Sequence, residues 1–235
     1  MLKKKEIESL IIDAEKEYGF KQGYKLLYVP WETIYKAKIA FISVNPGNPP
    51  DNADLRVLSD ENGNSYQVEE DVTKSPLTRQ FLKLSKFLGV APIDILTGAF
   101  CPFRSNKWKD FSTIQKKIGC EIGKHFWFQV LRESPIKLII TLGHGEELLR
   151  TITNPIVKEF NAKLEDKIFV WKGCFMSHYS TKDLKIIQLP HLSQHQIFDK
   201  NEVYMPSINQ IFKLLKLIGS LIILINYSFR NKHTA

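Results

Sequence analysis

The sequence predicts one α/β domain with a three-layer α/β/α arrangement and a mostly parallel central sheet of about four strands. Three observations lead to this prediction. Four short apolar runs have the length of strands, helical stretches lie between them, and the runs are continuously apolar rather than alternating. Continuous apolar runs are typical of strands covered on both faces, as in a parallel sheet. The 235 residues, 43% of them hydrophobic, are enough to build one such core.

The predicted elements follow from these patterns and from the turn residues that bound them. The strands are 37–44, 93–96, 138–142 and 184–189, with 168–171 as a short additional strand. The helices are 4–18, 77–88, part of 111–132, 146–151 and 204–217. Because strands alternate with helices, we expect βαβ units.

Residues 46–75 interrupt this alternation. The segment is rich in Asn, Asp, Gly, Pro and Glu and shows little periodicity. Loops of this length are uncommon in compact domains and are usually functional or disordered. The segment directly follows the first predicted strand, and open α/β sheets bind ligands beyond the carboxyl ends of their strands. We therefore expect a functional loop beside a ligand.

Composition indicates a polyanionic partner and a cytoplasmic protein. Lysine and arginine number 33 against 25 acidic residues, a formal net charge of +8, and such side chains bind phosphates without regard to sequence. The three cysteines, Cys101, Cys120 and Cys174, lack the spacing of a zinc or iron–sulfur site and predict reduced thiols. No signal peptide is predicted. The apolar segment 214–228 is interrupted and too short to span a bilayer, so no membrane contact is expected.

Residues whose side chains could take part in binding or catalysis follow three of the predicted strands. The first strand closes on the tripeptide NPG at residues 45–47, and the last on PHLS at residues 190–193. Between them, residues 97–104 read TGAFCPFR. Because the carboxyl ends of parallel strands meet at one edge of a sheet, we expect these motifs to surround one ligand.

The order and spacing of the three motifs resemble the uracil-DNA glycosylase superfamily, whose mismatch-specific and single-strand-selective branches carry an Asn-Pro-Gly first motif. The resemblance extends over residues 39–198. It implies a monofunctional enzyme that hydrolyses the N-glycosidic bond of a flipped-out base and leaves an abasic site. Water is the nucleophile in this family, so neither a metal nor a cofactor is expected. The implied partner is DNA, duplex or single-stranded, bound by a monomer.

The resemblance assigns catalytic roles to Asn45 and His191. Asn45 matches the residue that positions the water attacking C1′ of the deoxyribose. His191 matches the residue that supports the negative charge on the departing base. Asp51, together with Asp54 in the same loop, is a candidate carboxylate to stabilise the cationic sugar.

A flipped base needs a pocket, an aromatic platform and a wedge. The predicted base-binding residues are Pro46, Gly47, Tyr66, Gly98 and Phe100, with Tyr66 and Phe100 as rival platforms. The wedge is expected within residues 194–197. The predicted DNA-binding residues are Ser193, Gln194, His195, Arg104 and Lys107.

Two departures from the family pattern bear on the substrate. Leu192 stands where proline usually follows the histidine, and Gly98 stands where uracil-reading relatives commonly have an asparagine. Loss of that amide removes the side chain that hydrogen-bonds the Watson–Crick edge of uracil in those relatives. It is also expected to leave room for a larger base. The expected substrates are therefore uracil, a damaged base or a modified pyrimidine of the bulky phage type, which corresponds to roles in DNA repair or phage defence.

Two alternative functions stay open. One is a catalytically inactive nucleic-acid-binding member of the same fold, because two motif positions depart from the pattern. The other is a hydrolase of small nucleosides or nucleotides, for which DNA binding would be weak and little affected by salt.

Overall fold

A computed structural model describes residues 2–49, 53–73, 75–143, 146–171 and 174–216. Its strands are β1 (Tyr24–Leu27), β2 (Ile39–Ser43), β3 (Arg56–Ser59), β4 (Ile95–Ala99), β5 (Leu138–Leu142), β6 (Lys163–Trp171), β7 (Cys174–Ser180) and β8 (Lys185–Leu189). They form one mixed sheet in the order β3-β1-β4-β2-β5-β8-β7-β6. The protein is therefore of the α/β class, as predicted, with eight strands in its sheet rather than about four.

The helices lie before, between and after these strands. They are α1 (Lys4–Glu17), α2 (Ser65–Val68), α3 (Glu70–Thr73), α4 (Pro76–Leu88), α5 (Thr113–Glu133), α6 (Glu146–Leu148), α7 (Asn154–Glu159), α8 (Leu192–His195) and α9 (Asn201–Lys216). A π-helical turn, Leu149–Thr153, joins α6 to α7. Within the part of the chain that the structure describes, no helix is long and apolar enough to cross a membrane. Most of the predicted apolar segment 214–228 lies outside the described residues.

The four continuous apolar runs form the centre of the sheet. Strands β4, β2, β5 and β8 are neighbours in that order, and each pair is parallel. The outer strands differ, because β1 pairs antiparallel with β4, and β7 pairs antiparallel with both β8 and β6. Parallel pairing places the carboxyl ends of the four central strands at one edge of the sheet.

The prediction of about four strands is wrong in number because the additional strands carry a weaker signal. Strands β1 and β3 have four residues each and include Lys25 and Arg56. Strand β3 and the short helices α2 and α3 lie in the segment predicted as a loop, so residues 46–75 contain regular structure. Strand β6 extends the predicted strand 168–171 to nine residues.

Two apolar cores cover the two faces of the sheet. Ala40 and Ile42 of β2 belong to a core with residues of α1 and α5, such as Ile11 and Phe126. Ile39 and Phe41 point to the opposite face and belong to a core with residues of α4 and α9. Because β2 is buried on both faces, its carboxyl end is held firmly where the pocket described below begins.

Candidate active site

A pocket of about 580 Å³ opens at the carboxyl end of β2. Its walls come from β1 and the residue after it, from the end of β2, from the segment α2–α4, and from Arg104. The first wall after β2 is Asn45–Pro49, which we call the Asn45 loop. Ligand pockets are typically about 300–1,000 Å³, so this one can hold a nucleotide.

The Asn45 side chain is fixed by its own amide group. Its Nδ2 donates to the carbonyl oxygens of Pro46 and Ser105, each at 2.9 Å. The backbone NH of Ser105 in turn donates to the carbonyl oxygen of Pro46 at 3.0 Å. With both amide hydrogens engaged, the carbonyl oxygen Oδ1 is the group of Asn45 that can accept a hydrogen bond from a ligand or a water.

Arg104 braces the same loop from behind. Its guanidinium donates to the carbonyl oxygens of Leu55 at 3.1 Å, Gly47 at 3.2 Å and Asp54 at 3.5 Å. Only 6% of Arg104 is exposed, and burial lowers its pKa from the usual value. Arg104 was predicted to bind DNA. The side chain is buried and donates three hydrogen bonds to backbone carbonyls, so here it holds the Asn45 loop, and a contact with DNA stays a prediction.

Two tyrosines form the aromatic part of the pocket. Tyr66, a predicted platform, lines the pocket beside Tyr28, and their rings meet edge-to-face with centroids 5.3 Å apart. Tyr66 is 7% exposed and its hydroxyl is buried, with the Ser43 side chain acting on its pKa through a hydrogen bond. Burial raises the pKa of Tyr66 well above its usual value and that of Tyr28 to about 12. Both phenols are therefore neutral and able to donate to a ligand.

A charged group forms a further wall. Lys25 Nζ lies 3.1 Å from Asp60 Oδ2 and 3.6 Å from Glu69 Oε1, and the side chain of Lys25 is only 10% exposed. Lys25 and Glu69 line the pocket. Asp60 also accepts a hydrogen bond from Ser65 at 2.7 Å. Burial alone would raise the pKa of Asp60, but the Ser65 hydrogen bond and the charge of Lys25 lower it.

The PHLS motif follows β8 directly, and we call residues 190–198 the His191 segment. Nδ1 of His191 is 2.7 Å from the hydroxyl oxygen of Ser193. When that hydroxyl donates, the imidazole proton resides on Nε2, which can then donate to a ligand. The side chain is half-buried. Strands β2 and β8 are separated by β5 alone, so their ends lie about 10 Å apart.

The apolar residues of the His191 segment are in the core. Leu192, the residue that replaces the usual proline, is fully buried, as is Ile197. A wedge at Ile197 is therefore ruled out by its burial. Gln194 is exposed and His195 is half-buried, with the Tyr204 hydroxyl 3.5 Å from His195 Nδ1. Ser193 contacts His191, and its predicted contact with DNA stays a prediction.

Gly98 and Phe100 lie away from the pocket. A Cβ atom at Gly98 would stand 2.5 Å from the carbonyl oxygen of Leu26 and 3.0 Å from Trp127. The expectation that Gly98 leaves room for a larger base is therefore wrong, since strand β1 and the Trp127 ring occupy that room. Phe100 is fully buried in the core with α5 and is not a platform for a base.

The remaining predicted residues divide into exposed positions and one outside the described residues. Lys107 is exposed, and its contact with DNA stays a prediction. Asp54 is exposed and contributes its backbone carbonyl to Arg104 rather than a carboxylate to the pocket. Asp51 lies outside the described residues.

The structure thus brings five of the predicted residues into one pocket and adds others. Asn45, Pro46, Gly47, Tyr66 and Arg104 line it, whereas His191 follows β8, which is separated from β2 by β5. Sequence reasoning missed the other lining residues, among them Lys25, Tyr28 and Glu69. In the sequence, a lysine within a short apolar run and a pair of acidic residues after a helical turn are weak signals of a site. Both patterns are common on protein surfaces.

The site was also compared with metal centres and with known proteins. In the described ranges, no group of three or more His, Cys, Asp or Glu side chains is placed to hold a metal ion. Comparison of the chain with protein-family models and with curated proteins finds no match in either set.

Proposed function

We propose that this protein is a monofunctional DNA glycosylase that hydrolyses the N-glycosidic bond of a flipped-out base. The observation that carries the proposal is the fixed amide of Asn45. Two 2.9 Å hydrogen bonds hold its nitrogen at the mouth of a pocket, and Oδ1 is left to bind the attacking water. A water held in this way needs little reorganisation when it attacks C1′.

His191 supplies the second half of the mechanism. Cleavage builds positive charge on the sugar and negative charge on the base, so a donor near the base stabilises the transition state. The ends of β2 and β8 lie about 10 Å apart, which suits a nucleotide between them. Ser193 keeps the imidazole in one orientation.

The pocket supports a base as the group that enters it. Tyr28 and Tyr66 offer an aromatic wall to the base. The volume of about 580 Å³ accommodates uracil, a damaged base or a larger modified pyrimidine. Gly98 no longer bears on the choice among them, because its surroundings are filled.

The wider setting is part of the proposal. The net charge of +8 and the exposed Lys107 suit the phosphates of duplex or single-stranded DNA. We propose a monomer that acts in the cytoplasm, in DNA repair or phage defence, with water as its only co-reactant. The uracil-DNA glycosylase-like three-layer arrangement belongs to this proposal.

The test is a panel of DNAs that each carry one uracil, damaged pyrimidine or modified pyrimidine, in duplex and single-stranded form. Alkali cleavage detects abasic sites and mass spectrometry identifies the released base. We expect Asn45→Ala to lower the single-turnover rate by about 10²–10³-fold, as loss of a group that acts in the transition state does. DNA affinity, measured by fluorescence anisotropy, should stay within about threefold because the phosphate contacts are unchanged.

Matched variants control for nonspecific damage. Asn154→Ala and His125→Ala remove exposed side chains of the same types on α7 and α5, and both should release base at the wild-type rate. His191→Ala should lose rate as Asn45→Ala does. A wild-type protein that binds every DNA and releases no base would contradict the proposal and favour the inactive binding protein. Release from free nucleotides alone would favour the small-molecule hydrolase.

A further inference from the structure

Two aromatic rings and a lysine lie together on the β6–β7 hairpin, apart from the pocket. Phe169 of β6 and Phe175 of β7 are cross-strand partners, and their ring centroids are 6.1 Å apart. The ammonium of Lys167 lies 5.4 Å from the ring centroid of Phe169 and 4.1 Å from that of Phe175. We call these three residues the Phe169 cluster. Because Phe169 is 71% exposed, its ring contributes little to the core and is open to a ligand.

The carboxylates next to Lys167 in the sequence are engaged elsewhere. Asp166 accepts a hydrogen bond from Gln210 of α9 at 3.2 Å, and Glu165 accepts one from Ser180. Successive residues of a strand point to opposite faces, so Asp166 points toward α9 and Lys167 points away from it. The Phe169 cluster therefore presents an exposed ring and a positive charge on the face of the sheet opposite α9.

The Phe169 cluster lies at the same edge of the sheet as the candidate active site. Strand β6 runs parallel to β8, because two antiparallel pairings separate them, and β8 runs parallel to β2 through β5. Phe169 is near the carboxyl end of β6, so it lies at the edge where β2 and β8 also end. Ser177 of β7 pairs with Gln188 of β8, and continuing that register places Phe175 level with Pro190, the residue that follows β8.

The distance from the pocket to the Phe169 cluster exceeds one nucleotide. At about 4.8 Å per strand, the end of β6 lies about 10 Å from the end of β8 and about 19 Å from the end of β2. The pocket is lined by α4, which shares its core with α9, whereas the Phe169 cluster is on the other face. A ligand that runs from the pocket past His191 to Phe169 therefore crosses the carboxyl edge of the sheet.

An exposed ring beside a lysine is suited to an unpaired nucleotide. Bases of every kind stack on aromatic side chains, and cations beside those rings bind the phosphates of the strand. The bases of a duplex are already stacked on one another, so they offer no free face to Phe169. The net charge of +8 favours a polyanion over an apolar peptide as the partner of this surface.

We propose that the protein binds its DNA single-stranded, with an unpaired base stacked on Phe169 and a neighbouring phosphate bound by Lys167. This inference rests on the proposed function and narrows its substrate from either form of DNA to the single strand. The stacked base is a few nucleotides from the one in the pocket, and the strand between them passes His191. Because the Phe169 cluster is about 19 Å from the end of β2, it acts on DNA affinity and not on bond cleavage.

The experiment measures the affinity of the full chain for an unmodified single strand of about 20 nucleotides and for the duplex of the same sequence, by fluorescence anisotropy. We expect Phe169→Ala to raise the Kd for the single strand by about fivefold or more, the loss of one stacked base, and to leave the Kd for the duplex within about twofold. Leu164→Ala is the matched control, because Leu164 is also exposed on this face but lies near the other end of β6. It should change neither Kd.

Two further sets of variants separate stacking from charge. Lys167→Gln should lower the slope of log Kd against log salt for the single strand by about 0.7, the value for one phosphate contact, whereas Lys163→Gln, on the α9 face of β6, should leave it unchanged. Phe169→Trp should bind the single strand at least as tightly as the wild type does, because it keeps an aromatic face. Phe169→Leu keeps the apolar bulk without the ring and should lose affinity as Phe169→Ala does.

The outcomes distinguish this inference from the proposed function, because binding is measured without base release. A Kd of Phe169→Ala for the single strand within twofold of the wild type, or equal losses on the single strand and the duplex, overturns the inference while the glycosylase proposal stands. A dimer that Phe169→Ala dissociates without a change in DNA affinity also overturns it, since the ring then contacts a second copy. A wild type that binds the single strand through Phe169 and releases no base supports the Phe169 cluster and contradicts the proposed function.

Discussion

The Asn45 loop and the His191 segment follow strands of the same parallel sheet, yet they are held in place in opposite ways. The Asn45 loop is held by polar side chains, since Asn45 and Arg104 donate to backbone carbonyls of the loop, and Asn45 also donates to the carbonyl of Ser105. The His191 segment is held by apolar side chains, because Leu192 and Ile197 are fully buried in the core with α4 and α9.

This difference decides what each segment offers to a ligand. A loop fixed through its carbonyls can present side-chain atoms at fixed positions inside a pocket, as Asn45 does with Oδ1. A segment anchored by buried leucine and isoleucine instead presents its polar residues at the rim, where His191 is half-buried. We therefore expect substitutions in the Asn45 loop to lower the rate of base release more than the stability of the fold. Substitutions in the His191 segment are expected to lower the stability more.

The largest effect is expected from Leu192→Ala. The side chain is fully buried, and its truncation leaves a cavity beneath His191. Truncations of this kind cost about 2–5 kcal/mol of the free energy of unfolding. Urea denaturation measures it, with Leu164→Ala as the control, because Leu164 is 55% exposed and its loss should cost less than about 0.5 kcal/mol. Equal losses of unfolding free energy in the two variants would show that the Leu192 side chain does not hold the His191 segment in the core.

A somewhat smaller loss of stability, with a large loss of activity, is expected from Arg104→Met. The variant keeps the bulk of the side chain but removes three hydrogen bonds to carbonyl oxygens. Hydrogen bonds to charged groups contribute about 1.5–3 kcal/mol each, but water can replace some of them at this pocket, so we expect a net loss of about 2–3 kcal/mol. Urea denaturation and the rate of base release are the two measurements.

Arg132→Met controls for the loss of an arginine. Arg132 pairs with Glu159 at the surface, where ion pairs contribute about 0–1 kcal/mol. The comparison predicts that Arg104→Met loses base release by a larger factor than its stability loss accounts for at 25 °C, while Arg132→Met loses neither. A variant of Arg104 that is destabilised but releases base at the wild-type rate would remove the distinction between the two segments.

The fold was predictable to the extent that apolar burial produces it. The runs that became β2, β4, β5 and β8 are apolar on both faces, and such a pattern identifies central parallel strands from sequence alone. Strand β1 was not predictable in the same way, because its Lys25 is buried through an ion pair with a residue 35 positions later. Contacts of that kind are absent from any local pattern.

The candidate site was predictable in its motifs and not in its walls. Asn45 stands out because it directly follows a continuous apolar strand. The prediction for Gly98 was wrong because a glycine in a strand can make room either for a ligand or for a neighbouring strand, and the sequence does not distinguish the two. Here the backbone of Leu26 approaches it. Glu69 gave no signal, since its place in the pocket depends on how residues 53–73 pack against β1.

Acidity should separate the two halves of the molecule. In the half that carries the Asn45 loop, the pKa of Asp60 is lowered, so its contribution to stability is lost only as the pH falls through that low value. In the sheet beneath the His191 segment, His178 of β7 lies opposite Ile187 of β8 and is 2% exposed. Neither of its ring nitrogens has a hydrogen-bond partner among the described residues.

The smallest effect on the free energy of unfolding is expected from the protonation of His178, between about pH 7 and about pH 5. Burial, and then the charge of Lys185, lowers the pKa of His178 below 6.5, although Glu165 and Asp166 act in the opposite direction. The unfolded chain thus binds a proton that the folded chain refuses, and stability falls as the pH drops through about 6.5 toward the folded value. Urea denaturation at about pH 7 and about pH 5 should show a larger loss for the wild type than for His178→Leu. His125→Leu, which replaces an exposed histidine, should behave as the wild type does. Parallel losses in all three proteins would mean that the acid sensitivity arises elsewhere and does not distinguish the two halves.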